Sequence, residues 1–256
     1  MKIKEVAEAL ERFAPLPLQE DYDNAGLQIG LTESDVSGAL LCLDVTEDVI
    51  REAASHGCNL IVAHHPLLFR GLKCISDGDY VQRCVREAIL AGISIYAAHT
   101  NLDNALGGVN FAMASRMGLT NVSFLAPATE GGSGIIGDLP LSLSAPEFLE
   151  LLKSTFQTSS VRHNGFARSI RRVALCGGAG EFLIDEALKS EADAFVTGEI
   201  GYHRFFGLKE SIMLAALGHY ESEQYTIELL ESILKKECPG LRTLKTTTNT
   251  NPIHYY

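Results

Sequence analysis

The chain has 256 residues, of which 46% are hydrophobic and 21% charged, a balance typical of an ordinary globular protein that buries a substantial core. Its formal net charge of −11 argues against a general nucleic-acid-binding protein, because lysine and arginine supply most contacts with phosphates. No apolar run approaches the roughly 20 residues that span a bilayer. The six cysteines show neither CxxC spacing nor a dense framework, which indicates free thiols in a reducing compartment. We therefore expect a cytoplasmic protein with no membrane segment.

Helical and strand patterns alternate through the first half of the chain. The first is an amphipathic helix, MKIKEVAEALERF, in which Val6, Leu10 and Phe13 have helical spacing and the charges exclude a signal peptide. Three strands follow, GALLCLDV, NLIVAHH and ISIYAAHT, separated by the helices TEDVIREAASHG and YVQRCVREAILAG. Thr46 is the expected N-cap of the first of these two helices. This order predicts a mainly parallel sheet covered by helices.

A stretch rich in glycine and small residues, APATEGGSGIIG at residues 126–137, indicates a boundary. We therefore predict an α/β protein of two similar lobes, residues 1–125 and 126–256. The second lobe combines the strands RRVALCGGAG, DAFVTGEI and SIMLAALGH with the helices APEFLELLKSTF, EFLIDEALKSEA and ESEQYTIELLESILKKEC. The polar tail, TTTNTNPIHYY, is expected to lie over the surface.

Similar patterns in the two lobes predict an internal duplication. DVIREAASHGCNLIVAHH and FLIDEALKSEADAFVTGE are each a helix followed by a strand with a polar end. The next strands, ISIYAAHTNLD and IMLAALGHYESE, place His99 opposite His219 and Asp103 opposite Glu223. The alternative is coincidence, because parallel α/β units resemble one another by pattern alone.

Polar side chains gather at the predicted carboxyl ends of the strands, where open α/β sheets bind their ligands. Five of the eight histidines lie in such segments, close to a carboxylate or a second histidine: His64, His65, His99, His203 and His219. A single histidine of this kind is more often a hydrogen-bonded structural residue than a ligand. Four such segments together favour a metal site.

The adjacent pair His64 and His65 suggests two metal ions rather than one. Successive side chains of a strand point to opposite faces, so a regular pair does not easily chelate a single ion. Pro66 removes the next donor of the strand ladder and is expected to end the strand there. Each imidazole can then serve a different ion. Two ions with about three protein ligands each need roughly six ligand positions.

Five residues supply these positions if one carboxylate bridges the two ions. They are His64, His65, Asp103, His219 and Glu223. His99 has two possible roles: it could ligate directly, or orient Asp103 or a bound water. Histidine and carboxylate donors suit two divalent ions of Zn, Fe, Mn, Co or Ni, and the sequence does not distinguish among these metals.

Four further residues have alternative interpretations. Glu199 and His203, in TGEIGYH, are our candidate acid/base residues. Alternatively, the TGE segment is a helix N-cap followed by an acid in the first turn. Arg70 and Lys73 follow the histidine pair and could meet a phosphate or carboxylate of a substrate, or they could be ordinary surface residues.

Two loop motifs also need a structural explanation. DYDNAGLQIG contains Asp23 and Asn24, which either form a turn or help to shape a pocket. CGGAGE at residues 176–181 is rich in glycine, but it lacks the spacing of the nucleotide-binding glycine motifs. It is therefore a weak indication of a phosphate site.

Several motifs, taken in chain order, resemble those of one known family. YDNAGLQIG, IVAHHPLLFRGLK, AAHTNLD, TGEIGYH and LGHYESE are similar to the Nif-three-like proteins, often named GTP cyclohydrolase 1 type 2 homologs. The resemblance extends from about residue 20 to the NTNPI segment of the tail. One departure is Tyr22, where the family commonly has tryptophan, and this affects packing more than chemistry.

The resemblance implies a dinuclear metal site at the interface of two similar α/β lobes. It also implies a ring-shaped homohexamer whose sites face an internal cavity. Carried over residue by residue, the ligands are His64, His65, Asp103, His219 and Glu223, with Glu223 as the bridge.

Two functions follow from such a site. The first is a metal-dependent hydrolase in which two ions about 3.5–4 Å apart lower the pKa of a bridging water. GTP is one candidate small-molecule substrate, because the family name rests on a proposed opening of the purine ring, but phosphoesters or amides would use the same apparatus. The alternative is a non-enzymatic metal-binding protein or a scaffold that binds a partner, favoured by the lack of an obvious nucleotide-phosphate motif.

Overall fold

The computed structural model of the protein describes residues 1–165, 168–254 and 256, which divide into two units. The first unit comprises Met1–Leu102 and Thr226–His254, and the second comprises Asp103–Tyr225 and the C-terminal Tyr256. The last helix of the chain thus packs with the N-terminal part. The predicted domain limits, residues 1–125 and 126–256, stay a prediction.

A five-stranded sheet forms the centre of the first unit. Its strands are β1 (Gly26–Ile29), β2 (Ala39–Cys42), β3 (Leu60–Ala63), β4 (Ser94–Ala97) and β11 (Thr243–Lys245). They lie in the order β1-β4-β3-β2-β11, in which β1 is antiparallel to β4 and the other neighbours are parallel. The predicted parallel arrangement of β2, β3 and β4 is therefore confirmed, while the edge strands β1 and β11 were not predicted.

Helices cover this sheet. They are α1 (Ile3–Phe13), α2 (Glu47–Ser55), α3 (Tyr80–Ala91), α4 (Thr100–Asp103) and α9 (Thr226–Glu237). Of these, α2 and α3 begin at the expected residues. The Thr46 hydroxyl accepts a hydrogen bond from the Val49 backbone nitrogen, which confirms it as the N-cap of α2. Gly92 ends α3 in the left-handed conformation, with φ +66°. In the part of the chain that the structure describes, no helix has both the length and the apolar composition needed to cross a membrane.

The second unit is built on a mixed six-stranded sheet. Its strands are β5 (Thr120–Pro127), β6 (Gly132–Leu143), β7 (Arg162–His163), β8 (Ile170–Cys176), β9 (Ala194–Thr197) and β10 (Met213–Ala216). The order is β5-β6-β8-β9-β10-β7; among these strands the neighbouring pairs β8–β9 and β9–β10 are parallel, and the other neighbours are antiparallel. The helices of this unit are α5 (Val109–Arg116), α6 (Ala145–Phe156), α7 (Ile184–Lys189) and α8 (His219–Glu223).

Two segments of the second half differ locally from the predicted elements. Residues 126–137, which include the glycine-rich stretch, lie in the antiparallel hairpin of β5 and β6. Gly132 serves close packing there, since a Cβ at this position would lie 2.7 Å from the Ala126 carbonyl oxygen. The segment predicted as one long helix, ESEQYTIELLESILKKEC, is divided between α8 and α9.

Three neighbouring parallel strands occur in each unit, β2-β3-β4 in the first and β8-β9-β10 in the second. His99 follows β4 and His219 follows β10, as the proposed pairing of the two halves requires. The internal duplication itself stays a prediction.

Glu52, on α2, binds the beginning of the C-terminal tail. Its carboxylate accepts hydrogen bonds from the hydroxyls of Thr246, Thr247 and Thr248 and from the Thr247 backbone nitrogen. Burial raises the pKa of Glu52, but these hydrogen bonds outweigh it and lower the pKa to about 2. One carboxylate thus binds three successive residues of the tail.

We expect Glu52→Gln to lower the free energy of unfolding at neutral pH by about 1–2 kcal/mol, because an amide accepts these hydrogen bonds less well. Folding lowers the pKa of Glu52 from the ordinary 4.5. Its stabilisation is therefore complete above that value and is lost as the pH falls towards about 2. Urea unfolding of wild type and variant at descending pH measures the difference, which should shrink below about pH 5.

The matched control is Glu8→Gln, at an exposed position of α1 in the same unit. Equal losses in the two variants, or a difference that does not depend on pH, would contradict this role of Glu52.

Candidate metal centre

Two neighbouring parallel strands of the first unit lead into histidines. β3 ends directly before His64 and His65, and β4 ends two residues before His99. Beyond β3 the ladder continues, since the backbone nitrogens of His64 and His65 donate to the carbonyl oxygens of Cys42 and Leu43 at 3.2 and 2.9 Å. Because the carboxyl ends of parallel strands meet at one edge of the sheet, the three imidazoles lie together.

The three rings are close enough to share one small site. Ring centroids lie 4.9 Å apart for His64 and His65, 5.3 Å for His64 and His99, and 5.5 Å for His65 and His99. One ring nitrogen of each histidine lies within 4.8 Å of those of the other two. His64 is buried and the other two are half-buried. Three converging imidazoles of this kind form a candidate metal centre.

A hydrogen bond at Nδ1 fixes the orientation of each ring. Each Nδ1 lies 2.7 Å from an oxygen: Ala98 O for His64, Asp44 Oδ1 for His65 and Asp23 Oδ1 for His99. Carbonyl and ionised carboxylate oxygens only accept, so the proton of each neutral ring belongs on Nδ1 and the lone pair on Nε2. This is how proteins usually hold a histidine that binds metal.

Asp23 is the residue whose motif was compatible with either a turn or a pocket. Its side chain is 0% exposed, and it accepts hydrogen bonds from His99 Nδ1, from the Thr100 backbone nitrogen at 3.0 Å and from the Thr100 hydroxyl. Burial raises the pKa of Asp23, but the hydrogen bonds from His99 and Thr100 outweigh it and lower the pKa to about 2. Asp23 therefore shapes the pocket as a buried anion that orients His99.

Asp44 orients His65 and was not recognised from the sequence. Burial raises the pKa of this carboxyl, but the hydrogen bond and the charge of His65, together with a hydrogen bond from Thr250, outweigh burial and lower it. A signal for Asp44 did exist. It lies two residues beyond the end of β2, so the rule that identified the histidines at strand ends applies to it equally.

A similar arrangement occurs within the second unit. His219 begins α8 shortly after β10, and Glu199 follows β9 by two residues. His219 Nδ1 lies 2.9 Å from Glu199 Oε1, and its Nε2 lies 3.1 Å from Glu223 Oε2. The Glu223 side chain is only 4% exposed. Again a carboxylate holds Nδ1, while Nε2 faces a buried anion.

Asp103 is the first residue of the second unit. The Asp103 carbonyl oxygen accepts a hydrogen bond from Asn110 Nδ2 at 3.0 Å, and Asn110 Oδ1 accepts one from the Gly177 backbone nitrogen at 2.9 Å. Within this unit, Asn110 therefore connects the Asp103 backbone to the glycine turn that follows β8.

The candidate acid/base residues have different surroundings. Glu199 contacts His219, which favours an orienting role. His203 is exposed and its ring packs against Tyr202 and Phe206, with centroids 5.2 and 6.3 Å away. Its participation in proton transfer stays a prediction, as do the roles of Arg70 and Lys73, which are both exposed.

The interpretation of TGE as a helix N-cap is wrong. The Thr197 hydroxyl donates to the Gly178 carbonyl oxygen and accepts from the Gly180 backbone nitrogen, so it binds the glycine turn. The helical turn that follows begins only at Tyr202.

The glycine turn at residues 176–181 makes room for Glu223. Gly178 has φ +59°, and a Cβ at this position would lie 2.4 Å from Glu223 Oε1. Its backbone nitrogen also donates to the Ser222 hydroxyl at 3.0 Å. The turn thus packs against the helix that carries His219 and Glu223, which explains its glycines without a phosphate.

Residues 1–252 match the Duf34/NIF3 (NGG1p interacting factor 3) family. The chain belongs to this family. Two relatives named GTP cyclohydrolase 1 type 2 homolog, from Clostridium acetobutylicum and Lactococcus lactis, are each 32% identical to it. The alignments cover 92% and 99% of this NIF3-family chain and 90% and 99% of the relatives.

A solved structure agrees with this assignment. The Staphylococcus aureus protein SA1388 superimposes on this chain with a TM-score of 0.91 at 28% identity. The alignment covers 100% of this chain and 99% of SA1388. The expected family and the α/β fold class are therefore confirmed.

We expect Gly178→Ala to destabilise the second unit more than an ordinary replacement of a left-handed glycine does. An alanine at positive φ costs about 1 kcal/mol. The added methyl group must also displace the Glu223 carboxylate, which we expect to cost roughly 1–2 kcal/mol more. Thermal unfolding measures the loss. Gly118→Ala is the control, because Gly118 has φ +69° and nothing within 4 Å of its Cβ position. Equal losses at the two positions would contradict a role of Gly178 in placing Glu223.

Proposed function

We propose that this NIF3-family protein is a metal-dependent hydrolase that binds two divalent ions. The observation that supports it best is shared by four strand-end histidines: His64, His65, His99 and His219 each have Nδ1 within hydrogen-bonding distance of an oxygen. Histidines that only pack could use either ring nitrogen. With Nδ1 held in this way, each ring presents Nε2 as the atom that can bind a metal, which is the usual arrangement of metal-binding histidines, and Nε2 of His219 lies 3.1 Å from the carboxylate of Glu223, another proposed ligand.

The proposed ligands are His64, His65, Asp103, His219 and Glu223, with Glu223 as the bridge, as the family resemblance implies, and they suit Zn, Fe, Mn, Co or Ni. Imidazole and carboxylate donors match the chemistry of such ions. The Glu223 carboxylate is buried, and a bound cation would stabilise its negative charge. His99 is held beside the pair in the same way, so it can either ligate directly or orient its neighbours.

The chain's own residues prepare the site for chemistry. Asp44 and Glu199 accept the Nδ1 protons of His65 and His219, which orients these rings and makes Nε2 a better donor. When bound, divalent ions would supply Lewis acidity, polarising the bond under attack and activating water. His203 stays our candidate for proton transfer, whereas the contact of Glu199 with His219 supports an orienting role.

GTP is the first substrate to test. The relatives carry the name GTP cyclohydrolase 1 type 2 homolog, and hydrolytic opening of the purine ring is a reaction that activated water can perform. Phosphoesters and amides are the other bond types within reach of the same chemistry.

Metal retention tests the site. After loading with zinc and dialysis, we expect elemental analysis to find about two ions per wild-type chain and fewer in His64→Ala and Glu223→Ala. His56→Ala, at an exposed position just after α2, is the control and should retain as much as wild type. Wild type without metal, or ligand variants that retain the full amount, would contradict the site.

Turnover by the same proteins tests the reaction. We expect metal-loaded wild type and His56→Ala to hydrolyse GTP or a member of a phosphoester and amide panel, and the two ligand variants to lose at least about tenfold in rate. Turnover that the ligand substitutions do not change would indicate a contaminant. Metal binding without turnover would favour the alternative, a non-enzymatic metal-binding or scaffold protein.

We further propose a ring-shaped homohexamer in the cytoplasm, as the family resemblance and the cysteine pattern imply. Light scattering should then give the mass of six chains of 27.7 kDa each. A stable monomer or dimer would contradict this assembly.

A further inference from the structure

The C-terminal tail contacts the carboxylate that orients His65. The Thr250 hydroxyl donates to Asp44 Oδ2 at 2.8 Å, while Asp44 Oδ1 lies 2.7 Å from His65 Nδ1. Thr250 and Asp44 are 206 residues apart in the chain. The two oxygens of one carboxylate thus connect the tail with a proposed metal ligand.

We propose that Thr250 is a positioning residue, which fixes the Asp44 carboxylate and through it directs His65 Nε2 towards a divalent metal ion. The inference rests on the metal binding proposed above. The terminal torsion of an aspartate is broad, so a single hydrogen bond at Oδ1 leaves the carboxylate plane poorly defined. A second hydrogen bond, at Oδ2, removes that freedom and holds the imidazole plane with it.

The other histidine-orienting aspartate of the first unit is held in the same way. Asp23 binds His99 Nδ1 through Oδ1 and accepts from the Thr100 hydroxyl and backbone nitrogen through Oδ2. Each aspartate therefore places one oxygen on an imidazole and the other on a threonine hydroxyl. For His99 the threonine is Thr100, the next residue in the chain, whereas for His65 it is Thr250, which belongs to the tail.

The tail reaches Asp44 because the residues that precede Thr250 are anchored to the first unit. β11 pairs in parallel with β2, and the Thr246 backbone nitrogen then donates to the Leu41 carbonyl oxygen at 2.9 Å. Glu52 accepts the hydroxyls of Thr246, Thr247 and Thr248. The chain that follows runs alongside the segment from β2 to Asp44, which places Thr250 at the carboxylate. Anchoring and positioning use different residues, so they can be tested separately.

Three variants of the full chain separate these roles. Thr250→Val removes the hydroxyl at nearly constant volume, and Thr250→Ser retains it. Thr248→Val removes one hydrogen bond to Glu52 and leaves the bond to Asp44, so it is the control for tail anchoring. The first readout is the zinc dissociation constant, measured by competition with a chromophoric chelator. We expect about a tenfold weakening for Thr250→Val and a change within about twofold for the other two variants.

A second readout needs no metal. In the metal-free protein, the hydrogen-bonded Nδ1 proton of His65 should give an NMR signal, assigned by its loss in His65→Gln. We expect this proton to exchange with water at least about tenfold faster in Thr250→Val than in wild type or Thr250→Ser.

The outcomes are distinct. If Thr250→Val matches wild type in both readouts, or if Thr248→Val loses as much as Thr250→Val, the positioning role is overturned. If wild type binds no zinc, the proposed function fails, and the Nδ1 proton alone then decides the role of Thr250: faster exchange only in Thr250→Val supports it, and unchanged exchange overturns it.

Discussion

An acceptor oxygen opposite Nδ1 holds every imidazole on which the proposed metal chemistry depends. An imidazole can use either of its nitrogens, so a histidine at a strand end has no defined donor atom until one nitrogen is engaged. Here Nδ1 faces an acceptor oxygen in His64, His65, His99 and His219, and in His219 Nε2 also faces the Glu223 carboxylate. For His64, His65 and His99 the neutral ring with its lone pair on Nε2 is then favoured, and that is the protonation state able to bind a metal ion.

The acceptors come from distant parts of the chain, and the sheets bring them to the histidines. Asp23 precedes β1, Asp44 follows β2 and Glu199 follows β9, each at the end of its unit's sheet where a histidine also lies. A carboxylate at such a place is stabilised by the hydrogen bonds it accepts, as the pKa of about 2 for Asp23 illustrates. The hydrogen bonds that stabilise the carboxylates of Asp23 and Asp44 therefore also orient the imidazoles of His99 and His65. The same contacts thus stabilise the fold and orient the proposed metal ligands.

Local patterns in the sequence were enough to predict the parallel strands of the first unit and the histidines at their ends. Alternating strands and helices predicted β2, β3 and β4, and the cap at Thr46 was predicted from one residue type. The strand-end rule found His64, His65, His99 and His219. It would also have found Asp44 had it been applied to isolated carboxylates, since Asp44 lies next to β2 without a histidine beside it in sequence.

The rest depended on contacts between residues far apart in the chain. The pairing of β11 with β2, and the hydrogen bonds from the tail to Glu52 and Asp44, join segments about 200 residues apart and leave no periodic signal. The β5–β6 hairpin was missed for another reason. Its glycines and small residues were interpreted as a boundary, whereas Gly132 is there because a neighbouring carbonyl oxygen leaves no space for a side chain.

Nitrogen-15 NMR of histidine-labelled protein in the solid state tests the shared orientation most directly, because it reports which ring nitrogen carries the proton and does not depend on the size of the assembly. In the metal-free protein above neutral pH, we expect His64, His65 and His99 to carry their proton on Nδ1, and added zinc to shift the Nε2 resonances of the rings that bind it. Protons on Nε2 in these rings, or a zinc-induced shift centred on Nδ1, would contradict the proposed metal centre.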